Sequence, residues 1–368
     1  MPKKPSFDIP GEGFDPAKTS DLPGGRLNPS AFRRNALNGM DAVRVLAQKI
    51  KSGDIVALSK GITLIESNKD TDRPLSRELI SLCLNEKETS VRIGISGSPG
   101  VGKSTFIESL GQALVEQNKK LAVLAIDPTS SLTGGSILGD KTRMINLSTH
   151  PNAYIRPTPA GKMLGGVARY TREAIILCEA AGYDVILIET VGVGQSETIV
   201  ESMVDLFVLL ILPGAGDDLQ GIKRGVVEMA DLLVVNKADG ERINLANQAK
   251  ASYTHALHLF PPKESGSLVE VCTCSSVEST GIIEIWQRVL KLLETHHSNG
   301  YFTKRRNAQL LHWFEETIRN NLFDLFYNNQ VIKEEISMQE NAILSHKLSP
   351  FDAAESLLKR FIEELRKN

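Results

Sequence analysis

The sequence has little of several features that mark common protein classes. Its 368 residues include only four cysteines, Cys83, Cys178, Cys272 and Cys274, too few for a disulfide framework, and none stands in a C-x-x-C pair. Cys272 and Cys274 share one face of a predicted strand, so these thiols read as small core hydrophobes rather than as a metal site. His255/His258 and His296/His297 could align on helices, but no thiol or carboxylate stands nearby at ligand spacing, and they read as surface residues. Charge of one sign is not in excess: 42 Lys and Arg face 44 Asp and Glu, a net −2, which gives no general reason to expect nucleic acid or an anionic membrane as partner. No uncharged apolar run reaches the roughly 18 residues of a membrane span, and the most apolar stretch, 206–212, suits a buried strand. The start, Met1-Pro2-Lys3-Lys4-Pro5, has neither the apolar segment of a secretory signal nor the Arg-rich pattern of a transit peptide, so the cytoplasm is expected.

What is present centres on one turn, Gly97-Ser98-Pro99-Gly100-Val101-Gly102-Lys103-Ser104, entered from the apolar run 91–95 and left into a helical pattern that begins at Thr105. It reads as a phosphate-binding loop. Glycines let backbone N–H groups turn inward around an anion, the helix N-terminus adds positive dipole, Lys103 can reach the β/γ-phosphates, and Ser104 offers a hydroxyl to Mg²⁺.

Residues 1–35 are rich in Pro, Gly and Asp without a sustained period and predict a flexible arm. An N-terminal helical region, 36–88, follows. Met40, Val43, Leu46, Ala47 and Ile50 mark one helix closed by Gly53, Asp54 caps a second, and 75–84 could form a third. Apolar runs at 91–95, 121–126, 183–188, 206–212, 232–235 and 269–274 alternate with helical stretches. This predicts an α/β core, 89–297, with a mostly parallel sheet covered by helices on both faces and its ligand site at the strand C-termini. Residues 298–368 predict a helical extension whose apolar face (Leu310, Leu311, Phe314, Ile318, Leu322, Phe326) needs cover, either from a second copy in a homodimer or from its own core.

Chemistry-bearing residues fall at the strand ends. Asn236-Lys237-Ala238-Asp239 follows the fifth predicted strand. There the Asp239 carboxylate can accept from guanine N1–H and the 2-amino group, Asn236 can meet N7, and Lys237 can lie along the ring, which favours GTP over ATP. Glu189-Thr190-Val191-Gly192 ends the third predicted strand: Glu189 can act on Mg²⁺ through water, and Gly192 can present its N–H to the γ-phosphate. Gln195 either orients water or has a packing role. The long polar loop from Asp127 to Met144 is placed where a nucleotide-sensing switch belongs. Asp127 and Asp140 are candidate Mg²⁺ or water ligands, with helix or turn capping the alternative, the more so for Asp140.

The phosphate loop, the Glu-type third motif, the 127–144 segment, Tyr154-Ile155-Arg156-Pro157, the run from Leu187 to Glu197 and Leu219-Gln220-Gly221-Ile222-Lys223-Arg224-Gly225 together resemble the MeaB/ArgK/MMAA group of metallochaperone-type GTPases. The likeness spans residues 40–368, and Leu348-Ser349-Pro350 with Ala353-Ala354 resembles that group's last helical segment. It implies a homodimeric GTPase that chaperones adenosylcobalamin-dependent methylmalonyl-CoA mutase or a relative, with GTP binding and hydrolysis gating cofactor delivery, protection and repair. It also implies that 213–223 is a further switch, with Asp217, Gln220 and Lys223 its active polar residues. Ser275-Ser276 replaces the Ser-Ala of many relatives in the base-contacting loop, so only the backbone contact there carries over.

The expected chemistry is GTPase electrostatics. Lys103, the loop N–H groups and Mg²⁺ on Ser104 hold the phosphates, Asp127, Asp140 and Glu189 complete the metal and water shell, and turnover is slow until a partner raises it. A nickel-inserting metallochaperone would need a His- or Cys-rich segment, which is absent. A kinase of a transport protein, a further alternative, would need a base for the substrate hydroxyl, and the sequence does not place one. A scaffold that binds GTP without turnover is the non-enzymatic alternative.

Overall fold

The structure, a computed structural model, describes residues 39–67, 69–84, 90–127, 144–159, 164–190, 196–214 and 224–367. Seven strands, β1 (Val91–Gly97), β2 (Leu121–Asp127), β3 (Ala153–Pro159), β4 (Val185–Thr190), β5 (Leu206–Ile211), β6 (Leu232–Val235) and β7 (Glu270–Thr273), form one sheet in the order β3-β2-β4-β1-β5-β6-β7. All its pairings are parallel. The sequence predicts six of these strands. The seventh, β3, pairs with β2 from Leu121↔Ala153 to Asp127↔Pro159 and lies at the sheet edge, the position where its prolines, which cannot donate to a ladder, are tolerated. Glu189 therefore ends the fourth strand and Asn236 follows the sixth.

Successive strand residues feed opposite faces, as the pleat requires. Leu124, Ile186 and Phe207 enter one core, while Val123, Leu187 and Val208 enter the other. The first core is shared with the N-terminal helices α1 (Gly39–Lys51), α2 (Ile55–Ile65) and α3 (Arg73–Cys83), whose Ile50, Leu58, Ile62 and Leu79 are fully covered. Asp54 caps α2 as expected, accepting from the N–H groups of Val56 at 2.8 Å and Ala57 at 3.0 Å. The chain continues through α4 (Lys103–Glu116), α5 (Ile145–Thr149), α6 (Leu164–Ala180), α7 (Ser196–Glu201), α8 (Arg224–Met229), α9 (Ile243–Leu257) and α10 (Ile282–Ser298). Phe106, Ile107 and Leu110 of α4 and Ile285, Trp286 and Val289 of α10 close the second core.

At the end of the sheet away from the phosphate loop, one device repeats. Asp184, Asp205 and Asp231 each stand one residue before a strand. Each accepts a backbone N–H beside the neighbouring strand's start, from Lys120, Arg92 and Phe207 respectively, every one at 2.8 Å. Strand entries are thereby pinned in register at the base while the other edge carries the ligand loops.

Beyond α10, Gly300 turns the chain at φ +75° into α11 (Tyr301–Asn328), followed by α12 (Gln330–Leu344) and α13 (Pro350–Lys367). The first turns of α11 dock on the core through buried Phe302 and Arg306. Farther along, Leu310, Leu311, Phe314, Ile318 and Leu322 stand exposed, while Phe326 packs edge-on against Phe361 of α13, ring centres 5.2 Å apart. His296 departs from the surface reading: it is 1% exposed and stacks edge-on with Tyr301 at 5.0 Å, because the turn at Gly300 folds α11 back over the end of α10. All four thiols are buried and unpaired. Among the described residues no helix is long and apolar enough to cross a membrane.

Candidate nucleotide site

The phosphate loop joins the end of β1 to the start of α4, and two glycines permit its path. A Cβ on Gly97 would lie 2.5 Å from the Leu210 carbonyl of β5, and one on Gly102, at φ +95°, would lie 2.8 Å from the Asn236 amide nitrogen. Neither neighbour can yield without breaking the sheet or the loop brace. Lys103 is buried and donates to the carbonyls of Gly97 at 2.8 Å and Ser98 at 3.3 Å. Burial pushes its ammonium below the ordinary lysine range, an effect that the carboxylates of Glu189 and Glu197 oppose. A phosphate offers this cation a better partner than two neutral carbonyls do.

Ser104 donates its hydroxyl to Glu189 Oε1 at 3.0 Å. This pair brings a hydroxyl and a carboxylate together beside the loop, the hard oxygen donors that Mg²⁺ takes. Glu189 is 4% exposed at the end of β4. Beside it Thr190 donates to Ser96 Oγ at 2.9 Å, tying β4 to β1 directly below the loop.

The base end is a cross-braced set. Asn236 is 1% exposed. Its amide donates to the Val101 carbonyl at 2.9 Å, and its Oδ1 accepts from the Ser276 hydroxyl at 2.7 Å, the Ser276 N–H at 3.2 Å and the Cys274 thiol at 3.5 Å. Asn236 thus ties the phosphate loop to the loop after β7, beyond the base contact that the sequence suggests. Lys237, at φ +60°, donates to the Gly100 carbonyl at 2.7 Å. Asp239 Oδ2 accepts from the Ser275 hydroxyl at 2.7 Å, which fixes the carboxylate's rotation and leaves lone pairs for a base. Both serines of the Ser275-Ser276 pair therefore act through their hydroxyls, an arrangement motif matching does not reveal.

The structure brings together Gly97 through Thr105, Glu189, Asn236, Lys237, Asp239, Ser275 and Ser276. Asp140, Gly192, Gln195, Asp217, Gln220 and Lys223 lie outside the described residues, as does the 1–35 arm; Asp127 ends β2, its side chain likewise not described.

A parallel sheet with a phosphate loop after β1, a carboxylate on the loop serine, and an N-K-x-D set braced against that loop defines a P-loop GTPase. The family model described as methylmalonyl-CoA mutase-associated GTPase MeaB matches residues 58–331, and the chain belongs to that family. A probable GTPase of Mycobacterium tuberculosis is 47% identical over 319 residues, covering 87% of this chain and 95% of its own. The mouse methylmalonic aciduria type A homolog, a mitochondrial protein by name, is 46% identical over 319 residues, covering 84% and 77%. Among solved structures, that of a LAO/AO transport system kinase superposes with a TM-score of 0.69 at 32% identity, covering 89% of this chain and all of that one. The chain is a GTP hydrolase of this family.

Proposed function

We propose that the protein is a GTP-dependent chaperone of an adenosylcobalamin-dependent acyl-CoA mutase, methylmalonyl-CoA mutase or a close relative. GTP binding and hydrolysis gate cofactor loading and the protection or reactivation of the client. The observation that carries this reading is the family match over 58–331, described by its association with that mutase. In this reading 36–88 is an N-terminal helical region, 89–297 the GTPase domain, 298–368 joins two copies, and the protein works in the cytoplasm, where four buried reduced thiols are at home.

Asp239, oriented by Ser275, selects guanine, and Asn236 and Lys237 hold the base loop against the phosphate loop. Lys103 exchanges its two carbonyl partners for phosphate oxygens. Ser104 and Glu189, with Asp127 and Asp140, would hold Mg²⁺, which when bound offsets the charge that develops between the β- and γ-phosphates. Gly192 donates to the γ-phosphate and Gln195 orients water. The 213–223 segment, through Asp217, Gln220 and Lys223, reports the nucleotide state to the client.

Mixing the protein with a candidate acyl-CoA mutase tests this. GTP hydrolysis should accelerate, and recovery of inactivated mutase should require GTP; a mutase that does neither is not the client. The name of the structural relative favours one other reading, phosphorylation of a transport protein. Label from γ-phosphate appearing on protein rather than as free phosphate would decide for it.

A further inference from the structure

Asn236 receives more donors than it can use. Its side-chain oxygen has two lone pairs, yet three donors converge on it: the Ser276 hydroxyl at 2.7 Å, the Ser276 N–H at 3.2 Å and the Cys274 thiol at 3.5 Å. Asn236, Cys274 and Ser276 are all buried, so water does not share in the arrangement. The hydroxyl makes the short bond, the N–H stands at the long end of the range for an amide donor, and a thiol donates weakly. One donor is therefore in surplus, and the Ser276 N–H is the strong donor held least tightly.

The loop keeps that N–H in a fixed place. Ser275 and Thr280 exchange backbone hydrogen bonds at 3.0 and 3.1 Å, and the Glu278 N–H donates to Ser275 Oγ at 3.2 Å. Ser276 is thus bonded to Asn236 and joined through its neighbour Ser275 to Asp239, which accepts from Ser275 at 2.7 Å. The edge of a guanine runs in the same order. Its 2-amino group and N1–H suit Asp239, O6 follows, and N7 comes next for Asn236. O6 is an acceptor, and the residue that links those two side chains carries the surplus donor.

Turning the Ser276 N–H to O6 takes one bond from Asn236. With the hydroxyl in place, Asn236 Oδ1 keeps its shortest bond. Without the hydroxyl it would keep only the thiol, and a poorly paired buried acceptor is costly. A base with a weak acceptor at position 6 makes no such demand on the N–H.

We propose that the Ser276 hydroxyl is a positioning group for guanine recognition: by holding Asn236 Oδ1 it releases the Ser276 N–H to the base oxygen O6. This rests on the reading that Asp239 seats guanine, and it adds a determinant that touches no nucleotide itself.

The test uses the full chain with Ser276→Ala and Ser276→Thr. Calorimetry with Mg²⁺ gives dissociation constants for GDP, for ADP and for 6-thio-GDP, which keeps N1–H and the 2-amino group but replaces O6 with sulfur, a weak acceptor. Ser276→Ala should weaken GDP about fivefold and 6-thio-GDP less than about twofold. Ser276→Thr keeps a hydroxyl and should hold the unmodified protein's ratio of the two, whatever its methyl group does to each affinity. A parallel loss of both nucleotides, an unchanged GDP affinity, a Ser276→Thr ratio like that of Ser276→Ala, or a Ser276→Ala chain that does not fold would each overturn the proposal. If the unmodified protein bound ADP as tightly as GDP, the Asp239 reading would fall and this one with it; guanine preference kept alongside a parallel loss in Ser276→Ala would overturn this one alone.

Discussion

Arg306 and Asp205 form a buried two-bond ion pair that joins the long C-terminal helix to the base of the sheet. Arg306 Nε meets Oδ1 at 2.8 Å and Nη2 meets Oδ2 at 2.8 Å, with each residue 2% exposed. The same carboxylate accepts the Arg92 N–H at 2.8 Å, and Arg306 also donates to the Ser90 carbonyl at 2.7 Å. Four groups from three segments thus depend on one another where no water can substitute. Asp205→Ala strands a guanidinium and a strand N–H together, and removing one partner of a buried pair costs about 3–5 kcal/mol. Urea unfolding of the nucleotide-free protein checks this, and a loss below about 1 kcal/mol would mean that the pair is solvated in practice.

Ser275 holds Asp239 by one hydrogen bond of 2.7 Å. Removing that hydroxyl leaves the carboxylate in place but free to rotate, so Ser275→Ala should raise the KM for GTP about fivefold and leave kcat near its original value, a net loss of about 1 kcal/mol of binding. Asp239→Ala removes the base contact itself and should abolish the preference for GTP over ATP. Steady-state kinetics with both nucleotides separate the two, and a fall in kcat alone for Ser275→Ala would contradict the orienting role.

The elements whose signal is local were readable before the fold was known. The phosphate loop lies between an apolar run and a helical pattern, and Asp54 caps α2 where the sequence places it. What escaped depends on contacts distant in sequence. β3 contains Arg156, Pro157 and Pro159, a poor strand by composition that succeeds because it lies at an edge beside β2. The aspartates before β4, β5 and β6 look like ordinary turn residues until neighbouring strands place an N–H against each. Asn236 was legible as a base contact, but its brace to Val101 joins residues 135 positions apart, and the Ser276 hydroxyl that completes it breaks the expected pattern. His296 was misplaced because its cover comes from a helix that folds back over it.

That histidine has a consequence for pH. His296 is enclosed, and burial lowers its pKa below the ordinary 6.5, with Asp231 partly opposing and Arg305 and Lys263 reinforcing the shift. The folded chain therefore takes up this proton at a lower pH than the unfolded chain, which does so as pH falls through 6.5. Its contribution is fully present above that value and is lost progressively below it, with a slope of at most about 1.4 kcal/mol per pH unit. His296→Gln should flatten the stability profile between about pH 6.5 and 5 relative to the unmodified protein. Melting temperatures across that range decide it, and parallel profiles would assign the acid sensitivity elsewhere.

The exposed stripe on α11 carries the last prediction. Leu311 is 65% exposed, Phe314 63%, Ile318 44% and Leu322 56%, at intervals of three and four that set them along one side of the helix. The first turns of the same helix are anchored on the core by buried Arg306 and Phe302, while these four side chains farther along stand exposed. A contiguous apolar row on a fixed helix is the kind of surface that a second copy buries. Sedimentation at micromolar concentration should show a dimer for the unmodified protein and a monomer for the double variant Leu311→Glu/Phe314→Glu. The melting temperature and basal GTP hydrolysis of that variant should stay close to their original values, because neither side chain enters the core or the nucleotide site. A double variant that remains dimeric would place the interface elsewhere, and a monomeric unmodified protein would leave the stripe for the client to cover.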